Sequence, residues 1–100
     1  MIENKMVSLE ERAQDEAKIY LEELLSEGAR KLLQTAIENE GLEYLEAHRE
    51  RHTDAGQRLI VRNGHHPERE LVTGIGPIKV RQPRIRHRDG QKFSSAILPP

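Results

Sequence analysis

Near residue 52 the hydrophobic period of this chain changes from helical to alternating, and no single type of secondary structure accommodates both halves. From Ser8 to about Arg51, apolar residues recur three or four positions apart, at Leu21, Leu24, Leu25, Ala29, Leu32, Leu33, Ala36 and Ile37, which is the spacing of one helical face. From Arg58 onward short apolar runs alternate with polar residues and are separated by glycine and proline, the pattern of strands joined by turns. The fold class that follows is α+β: N-terminal amphipathic helices, a small antiparallel β-hairpin or meander, and an extended basic C-terminal arm. The chain divides accordingly into an acidic helical region (1–51), a linker (52–57), a basic β region (58–92) and a connector (93–100).

Local signals refine this outline. Ser8-Leu9-Glu10-Glu11 has the form of a capping box and predicts a helix start at Ser8. Gly28 and Gly41 each cost about 1 kcal/mol relative to alanine within a helix, so the sequence predicts a break near Gly28 and two or three helices rather than one rod. Arg58 to Arg62 reads as a short strand and Asn63-Gly64 as a turn. A hairpin follows, with Glu70 to Thr73 as one strand, Gly74-Ile75-Gly76-Pro77 as its turn and Ile78 to Gln82 as the return. Alternation puts Ile78 and Val80 on an inward face and Lys79 and Arg81 on the other. Pro83 lacks a ladder donor and is expected to end regular pairing, leaving 84–92 as the arm. In an extended arm Arg84, Arg86 and Arg88 share one side at intervals of ~6.6 Å, roughly the phosphate spacing of a nucleic-acid strand.

Charge divides the chain as sharply as periodicity does. Residues 1–50 hold six Lys or Arg against thirteen Asp or Glu, a net of −7, and residues 51–100 hold ten against four, a net of +6. An acidic element joined to a basic one suggests that the second half meets a polyanion. Arginine suits bidentate contacts to phosphate and guanine, and four occur between residues 81 and 88. Two blander readings stand beside this one: a solvated surface, and a clamp in which the basic arm pairs with the acidic helices. Aromatic residues, which single-strand and RNA binders stack on bases, are limited to Tyr20, Tyr44 and Phe93, and only Phe93 is near the arm. Duplex DNA is therefore the favoured polyanion. The candidate DNA-binding residues are Arg62, Lys79, Arg81, Arg84, Arg86, Arg88 and Lys92.

Other chemistries find little support. The chain of 100 residues has no cysteine, hence neither a disulfide framework nor a thiolate metal site, which suits a cytoplasmic location. It has no apolar run near the ~20 residues of a spanning helix and no secretory leader pattern. His48 and His52 are four apart, but Arg49 stands where an HExxH motif has glutamate. Gly74 and Gly76 lack the third glycine and the following helix of a dinucleotide fingerprint. No Ser, His and Asp set and no carboxylate pair in an apolar setting assigns a catalytic residue. The leucine stripe serves either an internal core or a homo-oligomer contact, for which Leu25, Leu32, Leu33 and Ile37 are the candidates.

Residues 62–100 closely resemble the N-terminal region of bacterial Mutator-type insertion-sequence transposases. The marks are Arg62-Asn63-Gly64, the hairpin Thr73-Gly74-Ile75-Gly76, and the strand ending Val80-Arg81-Gln82-Pro83-Arg84. A weaker likeness extends upstream to about residue 25. His65-His66-Pro67 replaces an aromatic, arginine-rich run, and Gly41 stands where a bulkier helix residue is usual. The resemblance implies a non-catalytic part of a DNA transposase that helps recognise terminal inverted repeats and assemble subunits. It implies that divalent metal belongs to a ribonuclease-H-like domain beyond Pro100, and that this chain is a truncated copy or N-terminal portion. Two alternatives remain open: a helix-mediated protein-interaction module and a small DNA-binding regulator. The DNA readings all require the cationic strip to stand clear of the acidic helix.

Overall fold

The computed structural model describes the backbone of residues 2–100 and side chains from Ser8 onward. Its first element is one helix, α1, spanning Ile2–Ala47. At 1.5 Å per residue it is about 69 Å long, and it sets the longest dimension of a molecule measuring 82 × 19 × 19 Å. The predicted break at Gly28 does not occur. Glu27 bridges the glycine by reaching Arg30 at 2.7 Å and Lys31 at 4.0 Å, pairs whose spacing favours the helical form. Propagation of a helix already formed then outweighs the cost of one glycine. The predicted start is also displaced, because Ser8 lies inside α1 and the preceding residues contain neither glycine nor proline to stop the helix.

Gly41 has a different role. A Cβ at this buried position would lie 3.4 Å from Ile85 Cδ1 and 3.5 Å from Pro83 Cγ, so the bare helix backbone forms the seat for a crossing strand. Helix continuity through Gly41 follows from that packing, and a side chain much larger than alanine would lift the strand away. Past Ala47 the backbone tightens, with His48 N–H donating to Leu45 C=O and Arg49 N–H to Glu46 C=O. His48 Nδ1 also meets the Tyr44 carbonyl at 2.8 Å, occupying one of the acceptors a helix end leaves free.

Four antiparallel strands follow: β1 (Ile60–His65), β2 (Arg69–Thr73), β3 (Gly76–Val80) and β4 (Pro83–His87). β2 pairs with β3 and β1 with β4, giving two two-stranded sheets set end to end in one ribbon. The join between them is marked by His66 N–H donating to Gln82 C=O at 2.8 Å.

Two local expectations are corrected here. Asn63-Gly64 is not a turn but an irregularity within β1, where pairing passes from Arg62↔Ile85 to His65↔Pro83. Gly64 has φ 67°, and a bulge uses a left-handed glycine as readily as a turn does. Pro83 begins β4 instead of ending regular structure, and residues 84–87 are a paired strand rather than a free arm. Its missing N–H is tolerated because it is the first residue of the strand, paired with His65 at the edge of the bulge. The predicted hairpin is present with a tighter turn: Gly76 and Pro77, expected in the turn, already pair with Thr73 and Val72, and the return strand ends at Val80 instead of Gln82.

The ribbon lies on the C-terminal half of α1. Ile37, Ile78, Val80 and Leu98 are buried together, flanked by Ala29, Leu33 and Leu71. Ile78 and Val80 thus face inward as their alternation predicted. The C-terminal segment closes the core: Glu40 accepts hydrogen bonds from Ser95 Oγ at 2.5 Å and from Ala96 N–H at 2.8 Å, fixing Leu98 in place. From Leu9 to Leu25, by contrast, the large apolar side chains of α1 are exposed.

Candidate nucleic-acid interface

Strict alternation from Ile78 would put Val80, Gln82, Arg84 and Arg86 all toward the helix. The ribbon avoids this by slipping phase at Arg81–Gln82. Val80 and Pro83 are both buried, three residues apart, and each is followed by an outward cation, Arg81 and Arg84. The break is held by Gln34 of α1, whose amide nitrogen donates to Arg81 C=O at 2.7 Å while its oxygen accepts from Arg81 N–H at 3.0 Å. One side-chain amide thereby replaces a strand partner at the irregular point. Nothing in the sequence pattern singled out Gln34, because a glutamine on a helix is ordinarily a solvated residue.

Beyond the slip, Pro83, Ile85 and His87 turn toward α1 while Arg84 and Arg86 are exposed. Lys79 and Arg81 extend the outward set along β3, and Arg88 and Lys92 extend it past β4. Lys92 is brought back beside Arg86 by an isolated antiparallel bridge. Arg88 donates through Nε to Arg58 C=O at 3.0 Å and remains exposed. Among the described residues, none of Lys79, Arg81, Arg84, Arg86, Arg88 and Lys92 forms a salt bridge with a carboxylate. These cations share an outward aspect of the ribbon, with the acidic helix behind it.

Arg62 is placed differently from the other candidates. It is opposite Ile85 on the helix side of the β1–β4 pair, and its guanidinium meets Glu38 at 2.9 Å. His65, after the bulge, reaches the other Glu38 oxygen at 2.6 Å. Partial burial pushes the Glu38 pKa up, but the His65 hydrogen bond and the neighbouring charges of Arg62 and His65, helped by Gln34, outweigh it and hold the carboxyl below its ordinary 4.5. A lowered carboxyl pKa stabilises the fold above about pH 4.5 and loses that contribution as pH falls through the folded-state value. Glu38→Gln is expected to cost about 1 kcal/mol at neutral pH and to flatten the acid limb of a denaturation curve. An acid limb of unchanged steepness would show that the clasp contributes nothing.

The other candidates and histidines are distributed as follows. Ile37 is 1% exposed within the chain's own core and Leu33 packs against it, whereas Leu25 and Leu32 are 61% and 75% exposed. The four leucine-stripe candidates therefore divide between two faces. Tyr44 stacks near His48 and Phe93 and shares a 2.7 Å hydrogen bond with Nε2 of His87. His52 is exposed, and no group of three or more metal-ligating side chains occurs among the described residues. No helix among them is long and apolar enough to cross a membrane.

The family model for Transposase, Mutator family, matches residues 1–100. The chain belongs to the Mutator family of transposases. No curated protein and no solved structure matched it closely enough to add a relative. The resemblance drawn from Arg62-Asn63-Gly64 and the 73–84 hairpin is thus sustained over the helix as well. In this Mutator-family chain, the same segments form the β1 bulge, the β2–β3 hairpin and the start of β4. Of the exposed cations, Arg81 and Arg84 lie within the segments that carried that resemblance.

Proposed function

We propose that this chain is a non-catalytic, DNA-binding and assembly part of a transposase, holding the duplex of the element's terminal inverted repeats on the outward face of the ribbon. The observation that carries the reading is the set of six exposed cations without carboxylate partners among the described residues, four of them arginines between residues 81 and 88. Guanidinium groups in that state can neutralise phosphates without first breaking an internal ion pair, and release of the condensed counterions drives association. Binding of a labelled inverted-repeat duplex across a salt series tests this. Affinity that does not change with salt, or that survives alanine at Arg84, Arg86 and Arg88, counts against it.

Assembly falls to the other side of α1. Leu21, Leu24 and Leu32 are all at least half exposed and fall on a helical face turned away from Ile37. A stripe of this kind is the usual seam of a helix pair. Leu21→Glu with Leu24→Glu is expected to convert an oligomer to monomer in sedimentation, with the ribbon intact. A monomeric parent at tens of micromolar would remove the assembly role.

A further inference from the structure

Beside the cationic row is a feature that phosphate contact alone does not require. Residues 89–91 turn the chain back after β4, with Gly90 at φ 85° and Gln91 N–H donating to Asp89 Oδ1 at 3.1 Å. Between this return and β4 lies an open cavity of about 590 Å³. Arg84, Arg86 and Lys92 line it as exposed groups, and Ile85 and Phe93 as half-buried ones. Among the described residues no carboxylate lines it, the Asp89 carboxylate lying behind the return, bonded to the Gln91 N–H.

We propose that this cavity receives one unpaired nucleotide of the bound DNA, with the phosphate on Arg84, Arg86 and Lys92 and the base against Phe93. The inference rests on the DNA reading above and adds a second kind of contact to it. Size is the first argument: a phosphate touching a surface needs no cavity, while enclosed ligands of nucleotide size occupy clefts of roughly 300–1,000 Å³. Chemistry is the second. A nucleotide carries an anion, a π-face and an edge of donors and acceptors, and the lining supplies cations, an aromatic ring, and the exposed amides of Asn63 and Gln91. A base inside a duplex is stacked on its neighbours and cannot present its face to Phe93, so the nucleotide must be out of the helix.

The ring is also prepared for such a contact. Tyr44 packs on Phe93 with centroids 4.6 Å apart, so the ring loses little freedom when a base is added. Independent of the cations, His87 lines the same cavity with its side chain 2% exposed. Tyr44 engages Nε2, while Nδ1 has no hydrogen-bond partner, the Asp89 carboxylate being 3.6 Å away. One aromatic residue makes one subsite, which is consistent with a protein too poor in aromatics for a continuous stacking platform.

The test compares four labelled duplexes of one sequence by anisotropy at fixed salt: blunt, with one unpaired nucleotide at the 3′ end, with one at the 5′ end, and with a central single-nucleotide bulge. A fifth duplex carries an abasic unit in the preferred position. Binding about tenfold tighter to one unpaired form is expected, within the 1–3 kcal/mol of one base–aromatic stack, and the abasic unit should lose that gain. Phe93→Ala should erase the preference and leave blunt-duplex affinity unchanged. Because that variant removes a partner of Tyr44, Asn63→Ala with Gln91→Ala is the companion: both residues are exposed, and a severalfold smaller preference for the unpaired form over the blunt duplex is expected. Equal, measurable affinity for every duplex overturns the subsite while leaving duplex binding intact. Absence of any binding overturns both.

Discussion

Replacing Arg84, Arg86 and Arg88 together by alanine is expected to weaken duplex binding on the order of 10²–10³-fold at 0.1 M salt. Each phosphate contact contributes about 0.9 to the slope of log affinity against log salt. If about five phosphates are neutralised, the parent slope is near −4.5, and loss of three contacts brings it near −1.8. The change of slope is the more specific readout, because a variant that merely folds badly loses active protein without altering the slope of what remains. Folding should be nearly untouched. Arg84 and Arg86 are exposed on the outward side of β4 and form no salt bridge, and Arg88 contributes one hydrogen bond to the Arg58 carbonyl. Surface changes of this kind are usually within about 0.5 kcal/mol. Arg62→Ala is the informative contrast. With its guanidinium held by Glu38 at 2.9 Å, Arg62 should cost more in stability and less in salt slope than any one of the three. A triple variant with the parent slope would remove the ribbon from the interface.

The difference between Arg62 and Arg84 was not visible in the sequence, where both are arginines beside strand-like residues. Their separation depends on two phase slips, one at Asn63-Gly64 and one at Arg81–Gln82. Such slips depend on side chains far away in sequence: Gln34, forty-seven residues upstream, determines the second. What could be read was whatever depended on local period. The α+β class, the turn between Thr73 and Gly76, and the inward Ile78 and Val80 all follow from neighbours in sequence. Glycine and proline were less reliable guides. Gly28 was expected to end a helix, yet it is exposed with no neighbour to exploit a break, and ion pairs span it. Gly41 carries the same propensity cost but seats Pro83 and Ile85, a tertiary reason invisible to propensity. Pro83 was expected to stop pairing because its missing donor was assumed to be needed. It instead stands as the first residue of β4, paired with His65 at the edge of the bulge.

Ile37→Ala is expected to lower stability by about 2–5 kcal/mol, the range for emptying a close-packed aliphatic site. Ile37 is 1% exposed and joins α1 to Ile78, Val80 and Leu98, so β3 and the C-terminal segment both lose their contact with the helix at one point. The remaining attachments, the seat of Pro83 and Ile85 on Gly41, the contacts of Tyr44 with His87 and Phe93, and the polar contacts at Gln34, Glu38 and Glu40, hold β4 and the chain beyond it but do not refill the site between α1 and β3. At roughly 4–8 °C per kcal/mol for a domain of this size, the midpoint should fall by tens of degrees at the upper end. Leu32→Ala removes a similar side chain from a position 75% exposed and should shift the midpoint by no more than a few degrees in a monomer. Protein concentration separates the two faces of α1. Loss at Ile37 acts within one chain and should be the same at every concentration, whereas any loss at Leu32 that comes from a helix pair should grow as protein concentration rises and vanish on dilution, as mass action requires. A concentration-dependent effect at Ile37 would mean that this residue serves an interface, and that the ribbon is held to α1 by its other contacts, those at Gly41 and Tyr44 among them.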